Sequence, residues 1–294
     1  MDKFKQLSLL LVTIYLSHAS VSIAQISEKP TFCWMVLSKD SLQPSFLFGT
    51  MHHLGPDFVL KNKQLMNFTM KSKCIILEAD TSEMLNLSKE YYSLKTDTSI
   101  EDVLGLAEYQ FVRNVFYKAT GKEIDNYRFY IPHAILTLIR KAENEISLRE
   151  SKPIMERAFY AISSVKNIPI YGLETREEVY NIMYKGMPLR EQAKLLLAEL
   201  KSEPLFEREE QMNQCFFNQD LSCFCAIDDL QHYTNPGDSI MVLGRNLHWI
   251  NKIDNFIVEG NSFVAVGAAH LCGDFGIVAL LKRRGHHLIP VKIF

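Results

Sequence analysis

Two kinds of hydrophobic pattern divide the chain. Some stretches are unbroken apolar runs of four to eight residues. Others place apolar residues three or four positions apart. Phe32 to Leu37 and Ser45 to Gly49 are runs of the first kind. The turn-like stretch Asp40 to Pro44 separates them and predicts a hairpin. Cys74-Ile75-Ile76-Leu77 follows and ends in Glu78-Ala79-Asp80. Ile168-Pro169-Ile170-Tyr171 ends in Gly172-Leu173-Glu174. Ser262 to Val266 ends in Gly267-Ala268-Ala269-His270, and His287 to Ile293 closes the series. Unbroken runs of this length suit strands covered on both faces. The second pattern predicts helices. Pro56 to Met70 reads as one, with its proline near the start. Ile131, Ile135, Ile139 and Ala142 share one helical face, and Leu189, Ala193, Leu196 and Leu200 share another. Ile240 to Ile257 and Gly273 to Arg284 read as two more, the last stopped by Gly285.

Strands separated by helices require crossovers, and crossovers make neighbouring strands parallel. The expected fold class is therefore α/β, with a mostly parallel central sheet and large helical insertions. Those insertions run from about Thr81 to Val165 and from about Thr175 to Phe256. The sequence has no solenoid-type repeat, low-complexity tract or Pro/Ser-rich linker, so one domain is expected over 25–294.

The first residues change the picture of where the protein works. Lys3 and Lys5 precede a mostly apolar stretch, Leu7 to Leu16, and Ser22-Ile23-Ala24 puts small residues where a signal peptidase reads. Residues 1–24 are expected to be a signal peptide, cleaved before Gln25. The apolar run is short for a membrane span. The expectation is a periplasmic or secreted protein with no stable membrane span after cleavage. The formal net charge of -2 offers no basic field for nucleic acid. Export permits disulfides. Cys215, Cys223 and Cys225 cluster, and Cys215 is expected to bridge to Cys223 or to Cys225. Cys33 and Cys74 lie within strand-like runs and read as small core residues.

The candidate chemistry comes from a pattern repeated at the two ends of the chain. Gly49-Thr50-Met51-His52 follows one strand, and Gly267-Ala268-Ala269-His270 follows another. Ligands of open α/β sheets bind beyond the carboxyl ends of the strands. A glycine there permits close backbone approach, and a histidine three residues later projects into the cleft. Glu78 and Glu174 close two further strands. A catalytic metal site needs about three protein ligands and an open position. His52, His270 and one or both glutamates, Glu78 first, supply that set as metal ligands, and the remaining glutamate is the expected general base. Taken singly, each of these residues is more often a boundary or packing residue; the four together point to one shared site. Arg245 and Asn246 lie on the helix expected from Ile240. Arg245 is placed to grip a substrate carboxylate or to pair with one of the glutamates. Trp249 reads as core packing, and His53 as a surface neighbour. No Gly-x-Ser-x-Gly elbow, His-Glu-x-x-His helix or phosphate-binding glycine loop occurs. Cys272, two residues past His270, is a weak candidate nucleophile because its surroundings are apolar.

The same segments resemble the TraB/GumN family, which includes the Tiki-type metalloproteases. The resemblance is carried by Phe46-Leu47-Phe48-Gly49-Thr50-Met51-His52, Ile75-Ile76-Leu77-Glu78-Ala79-Asp80, Gly172-Leu173-Glu174-Thr175, Gly244-Arg245-Asn246 with Trp249, and Phe263-Val264-Ala265-Val266-Gly267-Ala268-Ala269-His270-Leu271. It implies a fold related to the ChaN and erythromycin-esterase group. It implies that His52 and His270 are the family's paired histidines, and that Glu78 and Glu174 are its acidic positions. It also implies a divalent metal, manganese or cobalt first, with zinc or iron admitted by the same ligand types. Cys272 stands where many relatives carry a small residue or proline.

Two functions follow as expectations. The first is metal-dependent hydrolysis of a peptide or ester bond in a peptide or small-molecule substrate. The second is a non-catalytic protein that binds a metal, haem or peptide in the same cleft. Met51, His52 and His53 offer haem-compatible ligand types, without a Cys-x-x-Cys-His attachment motif.

Overall fold

In the computed structural model the described residues are 26–40, 43–79, 93–94, 97–147, 154–201, 205–227, 232, 237 and 239–294. The expected signal peptide, the cleavage point and Asp80 lie outside them. Six strands form one mixed sheet. They are β1 (Cys33–Leu37), β2 (Ser45–Thr50), β3 (Cys74–Ala79), β4 (Ile170–Glu174), β5 (Ser262–Gly267) and β6 (His287–Val291), in the order β4-β3-β5-β2-β1-β6. β2, β5, β3 and β4 run parallel, while β1 is antiparallel to both β2 and β6. The hairpin of β1 and β2 forms as expected. β2 and β5 are buried along almost their whole length, which explains why neither shows the alternation of a half-exposed strand.

This order decides where the chemistry goes. β5 lies between β2 and β3, and β4 flanks β3. The carboxyl ends of β2, β5, β3 and β4 therefore stand side by side at one edge of the sheet. In register, Thr50 faces Gly267 and Ala79 faces Glu174. Residues more than 200 positions apart in sequence become neighbours through strand pairing alone.

The helices between strands match the expected blocks, with local differences. The segment expected as one helix from Pro56 is two, α1 (Pro56–Lys61) and α2 (Lys63–Lys71). Asn62 breaks it. Its backbone is extended, and its side chain accepts hydrogen bonds from the amides of Gln64 and Leu65, so it caps the second helix. The first insertion contributes α3 (Ile100–Leu104), α4 (Leu106–Thr120), α5 (Pro132–Ser147) and α6 (Arg157–Lys166). The second contributes α7 (Arg176–Tyr180), α8 (Leu189–Lys201), α9 (Leu205–Phe217), α10 (Leu221–Ile227) and α11 (Arg245–Glu259), and α12 (Ile277–Arg283) precedes β6. Strand β4 starts at Ile170, two residues later than the apolar run suggests, because the amide of Ile168 is taken by Ser163 O at the end of α6.

The two insertions do not stay separate. α8 packs with α4 and α5 around Val112, Phe116, Ile135, Ile139 and Leu196, a small core distinct from the one built on the sheet. α11 instead buries Trp249, Ile250, Ile253 and Ile257 beside the sheet. Two disulfides stitch the lower half of the second insertion: Cys215–Cys223 joins α9 to α10, and Cys225–Cys272 joins α10 to the turn after β5. Of the alternatives left open for Cys215, Cys223 is the partner. Cys272 is bonded, so it does not serve as a nucleophile while that bond is intact. Among the described residues no helix is long and apolar enough to cross a membrane.

Candidate functional site

At the strand ends the backbone sets the positions before any side chain acts. A short 3-10 turn, His52–Leu54, follows β2, and another, Ala268–Leu271, follows β5. Gly49 is needed for packing rather than turning. A Cβ there would sit 2.8 Å from Leu271 Cδ1 and 3.1 Å from Ala268 Cα, so β2 and the second turn approach only because Gly49 has none. Gly267 serves the cluster itself. A Cβ on it would lie 3.1 Å from Glu78 Oε1, 3.6 Å from His270 Cδ2 and 3.7 Å from His52 Nε2. Three candidate ligands thus surround one point, and the glycine leaves that point free.

Each side chain is held from behind. Asn246 is fully buried and donates its amide to His270 O (3.2 Å) and Phe275 O (3.0 Å). Those two bonds fix its orientation, so Asn246 Oδ1, 2.7 Å from His270 Nδ1, must accept. His270 then carries its proton on Nδ1 and keeps Nε2 as an acceptor, which Arg245 Nη1 approaches at 3.5 Å. His52 is held the same way. Its Nδ1 lies 2.7 Å from Glu156 Oε1, which also accepts from Thr50 Oγ1 at 2.5 Å. The nitrogen near Gly267 is Nε2. Glu78 turns Oε1 toward both rings, 3.7 Å from His270 Nε2, and takes the Gly267 amide at 2.6 Å.

Behind this cluster lies a buried ion triad. Arg245 Nε and Nη2 both donate to Glu174 Oε1, the first at 2.8 Å, and Nη2 also donates to Glu78 Oε2 at 2.8 Å. Trp249 Nε1 donates to Glu174 Oε2 at 2.9 Å. The Glu174 side chain has no exposure, and both its oxygens are engaged. The Arg245 guanidinium also lies over the Trp249 ring, 4.4 Å from its centroid, and the His270 ring packs against the same indole at 4.5 Å.

The electrostatics follow from this packing. Burial makes the charged form of His270 costly, and nearby Arg245 adds to that, so its pKa is pulled down to about 4 despite Glu78. Burial alone would raise Glu78. Its positive neighbours and the Gly267 amide overcome that and hold it well below the ordinary carboxylate range. Desolvation pulls His52 down, but the hydrogen bond and charge of Glu156, with the charge of Glu78, more than reverse it, to about 9. The His52 side chain is 57% exposed, so water screens part of that attraction.

All five sequence-selected residues, His52, Glu78, Glu174, Arg245 and His270, meet in this cluster. Trp249 is core packing, as expected, but it also holds Glu174 in place. His53 turns outward and pairs with Asn213 Oδ1 at 2.7 Å. Glu156 and Thr50 escaped the sequence reading. Thr50 lies inside the first Gly-x-x-His, but nothing around Glu156 signals a site. It comes to His52 because the Met155 amide donates to His52 O.

Among the described residues no three His, Cys, Asp or Glu side chains close up into a ready-made metal cage. The donor chemistry nevertheless fits a divalent cation. His52 Nε2, the His270 ring edge at Cδ2 and a carboxylate oxygen surround one free point, and Nδ1 of each ring is tied to an oxygen, as in metal-binding histidines. Placing a methyl group at that point tests this directly. Gly267 has φ -53°, which alanine adopts readily. Gly267→Ala is expected to change stability by less than about 1.5 kcal/mol and to abolish metal binding. Calorimetric titration with thermal unfolding checks both, and unchanged metal binding would refute the meeting point.

The TraB/PrgY/gumN family model matches residues 32–289. No curated protein and no solved structure matches the chain. The matched span includes both Gly-x-x-His turns, both glutamates and the Arg245-Asn246 pair. The chain belongs to the TraB/PrgY/gumN family.

Proposed function

We propose that the protein is a metal-dependent hydrolase acting on peptide or ester bonds, exported to the periplasm or secreted. The observation that carries the reading is the convergence of His52 Nε2, His270 and Glu78 Oε1 on the free space at Gly267. His52, His270 and Glu78 would hold the cation. Manganese or cobalt is favoured by the family, and zinc or iron suits the same donors. Bound there, a divalent cation would lower the pKa of a water molecule and polarise a substrate carbonyl.

The chain's own groups supply the rest. Glu78 is kept anionic by Arg245 and the Gly267 amide, and it receives the proton of the attacking water. Glu174 has no side-chain exposure, whereas Glu78 is 20% exposed beside the free point. The role of Glu174 is to hold Arg245, together with Trp249, so that the guanidinium is fixed before substrate arrives. Arg245, 8% exposed behind the cluster, holds Glu78 Oε2 and offsets negative charge developing at the cluster. Asn246 and Glu156 take Nδ1 of each ring and leave Nε2 as the nitrogen a cation would take, at His52 in exchange for a proton. His52, more than half exposed, marks the side open to solvent. Two disulfides accord with an oxidising compartment.

Turnover of quenched-fluorescent peptides and of simple esters tests the reading. Glu78→Gln is expected to reduce turnover to background. Glu156→Gln is expected to weaken metal affinity by about 10–100-fold through loss of the anionic partner of His52. Full turnover in Glu78→Gln would remove the proposed proton acceptor.

A further inference from the structure

The turn that carries His270 is covalently fastened, and the fastening borders a cleft. Cys272 lies two residues past His270 and is bonded to Cys225 on α10, 47 residues away in sequence. α10 is itself anchored, with Leu221, Phe224 and Cys225 buried and the Phe224 ring edge-on to Phe32. The His270 turn is thus gripped from two sides. Asn246 and Trp249 hold it toward the ion triad, and the disulfide holds it toward α10.

A cleft of about 230 Å³ runs along the disulfide, lined by Trp34, Leu221, Cys225, Leu271, Cys272 and Lys282 among others. It lies beside the histidine–glutamate cluster rather than over it. Its chemistry is uneven. The walls are largely apolar, but Lys282 Nζ stands 5.0 Å from the centroid of the Trp34 ring. An ammonium group in the cleft that the disulfide lines favours approach of a thiolate. Both cysteines are buried, Cys272 at 1% exposure and Cys225 slightly less so at 5%, and both line the cleft.

We propose that Cys225–Cys272 is a thiol–disulfide exchange site at which a dithiol reductant sets the order of the His270 turn. One thiolate of the dithiol attacks the Cys225 sulfur. The Cys225–Cys272 bond breaks, Cys272 leaves as a thiolate and takes up a proton, and a mixed disulfide forms at Cys225. The second thiol of the reagent, deprotonated, attacks its own mixed disulfide. Cys225 is released as a thiol, and the reagent departs as its disulfide. Two electrons pass from the dithiol to the protein. The His270 turn then keeps its Asn246 and Trp249 contacts but loses its covalent hold on α10. The structural half of this inference stands on the tether alone, whereas its effect on turnover rests on the hydrolase reading.

The test uses the mature chain with Cys215→Ser and Cys223→Ser, so that Cys225–Cys272 is its one remaining disulfide, and with Trp34→Phe, so that Trp249 is its one tryptophan. Native protein is treated with dithiothreitol. Alkylation and mass spectrometry count the thiols, and far-ultraviolet circular dichroism monitors the fold. The expected result is release of Cys225 and Cys272, a changed Trp249 emission because His270 stacks on it, and unchanged helical content. A roughly tenfold fall in peptide turnover should follow, with recovery on reoxidation. Cys225→Ser with Cys272→Ser should reproduce the reduced state. Resistance to native reduction would overturn the exchange site. Reduction without a Trp249 change, or with collapse of the fold, would overturn the link to His270. If the oxidised protein turns over no substrate with any metal, the hydrolase reading fails while the thiol count and the Trp249 signal still decide this one.

Discussion

Arg245→Met is expected to destabilise the fold by about 3–5 kcal/mol, the usual cost of removing one partner from a buried ion pair. Glu174 is the reason. Its side chain has no exposure, and among the described residues Arg245 supplies two of the three hydrogen bonds to its carboxylate. Without the guanidinium, a buried anion keeps only the Trp249 indole. The triad is not thereby a net source of stability, because burying it also costs desolvation. A second substitution separates the two effects. Glu174→Gln in the Arg245→Met background removes the stranded charge while preserving an acceptor for Trp249, and it should restore a substantial part of the loss. Chemical denaturation of the four proteins measures the coupling. Additive losses would mean that Arg245 and Glu174 do not depend on each other.

His270→Ala has the opposite profile, with a large effect on function and a smaller one on folding. Turnover should fall to background, because the ring that stands beside Gly267 with Nε2 toward Glu78 is gone. Stability in the metal-stripped protein should change its pH dependence. The folded pKa of His270, about 4, lies below the ordinary histidine value of 6.5. Between those pH values the unfolded chain binds a proton that the folded chain does not. The native state therefore has the full benefit of a neutral His270 above about pH 6.5 and loses it as pH falls toward 4, by about 3 kcal/mol. His270→Ala should flatten this limb. The low pKa of Glu78 acts in the same direction at lower pH; the variant removes the lowering due to His270 and keeps that due to Arg245, His52 and the Gly267 amide. His52 runs the other way, since its raised pKa stabilises at low pH and that contribution is lost toward pH 9. An acid limb unchanged in His270→Ala would show that His270 is not buried as a neutral ring.

The sheet was legible because β2, β3 and β5 are buried on both faces and leave uninterrupted apolar runs. The cluster was legible for a related reason. Glu78, Glu174 and the two Gly-x-x-His turns all lie at strand ends, so a parallel arrangement was enough to bring them together. What stayed hidden depends on contacts with no sequence period. Glu156 reaches His52 from just before α6 through a loop contact. Glu174 reads as one of two candidate proton carriers, and its hydrogen bonds to Arg245 and Trp249 have no signature in the sequence. Asn62 splits a helix by a capping bond that hydrophobic spacing does not register. The Cys225–Cys272 bridge joins segments 47 residues apart, whereas spacing alone drew attention to the local cysteine cluster.

Peptide cleavage by the metal-stripped mature protein, with manganese, cobalt, zinc or iron restored one at a time and His270→Ala as control, tests the central claim most directly. The account predicts cleavage that returns with at least one of these metals and is absent from the folded variant. Cleavage that persists without metal, or that His270→Ala retains at the wild-type rate, would contradict it.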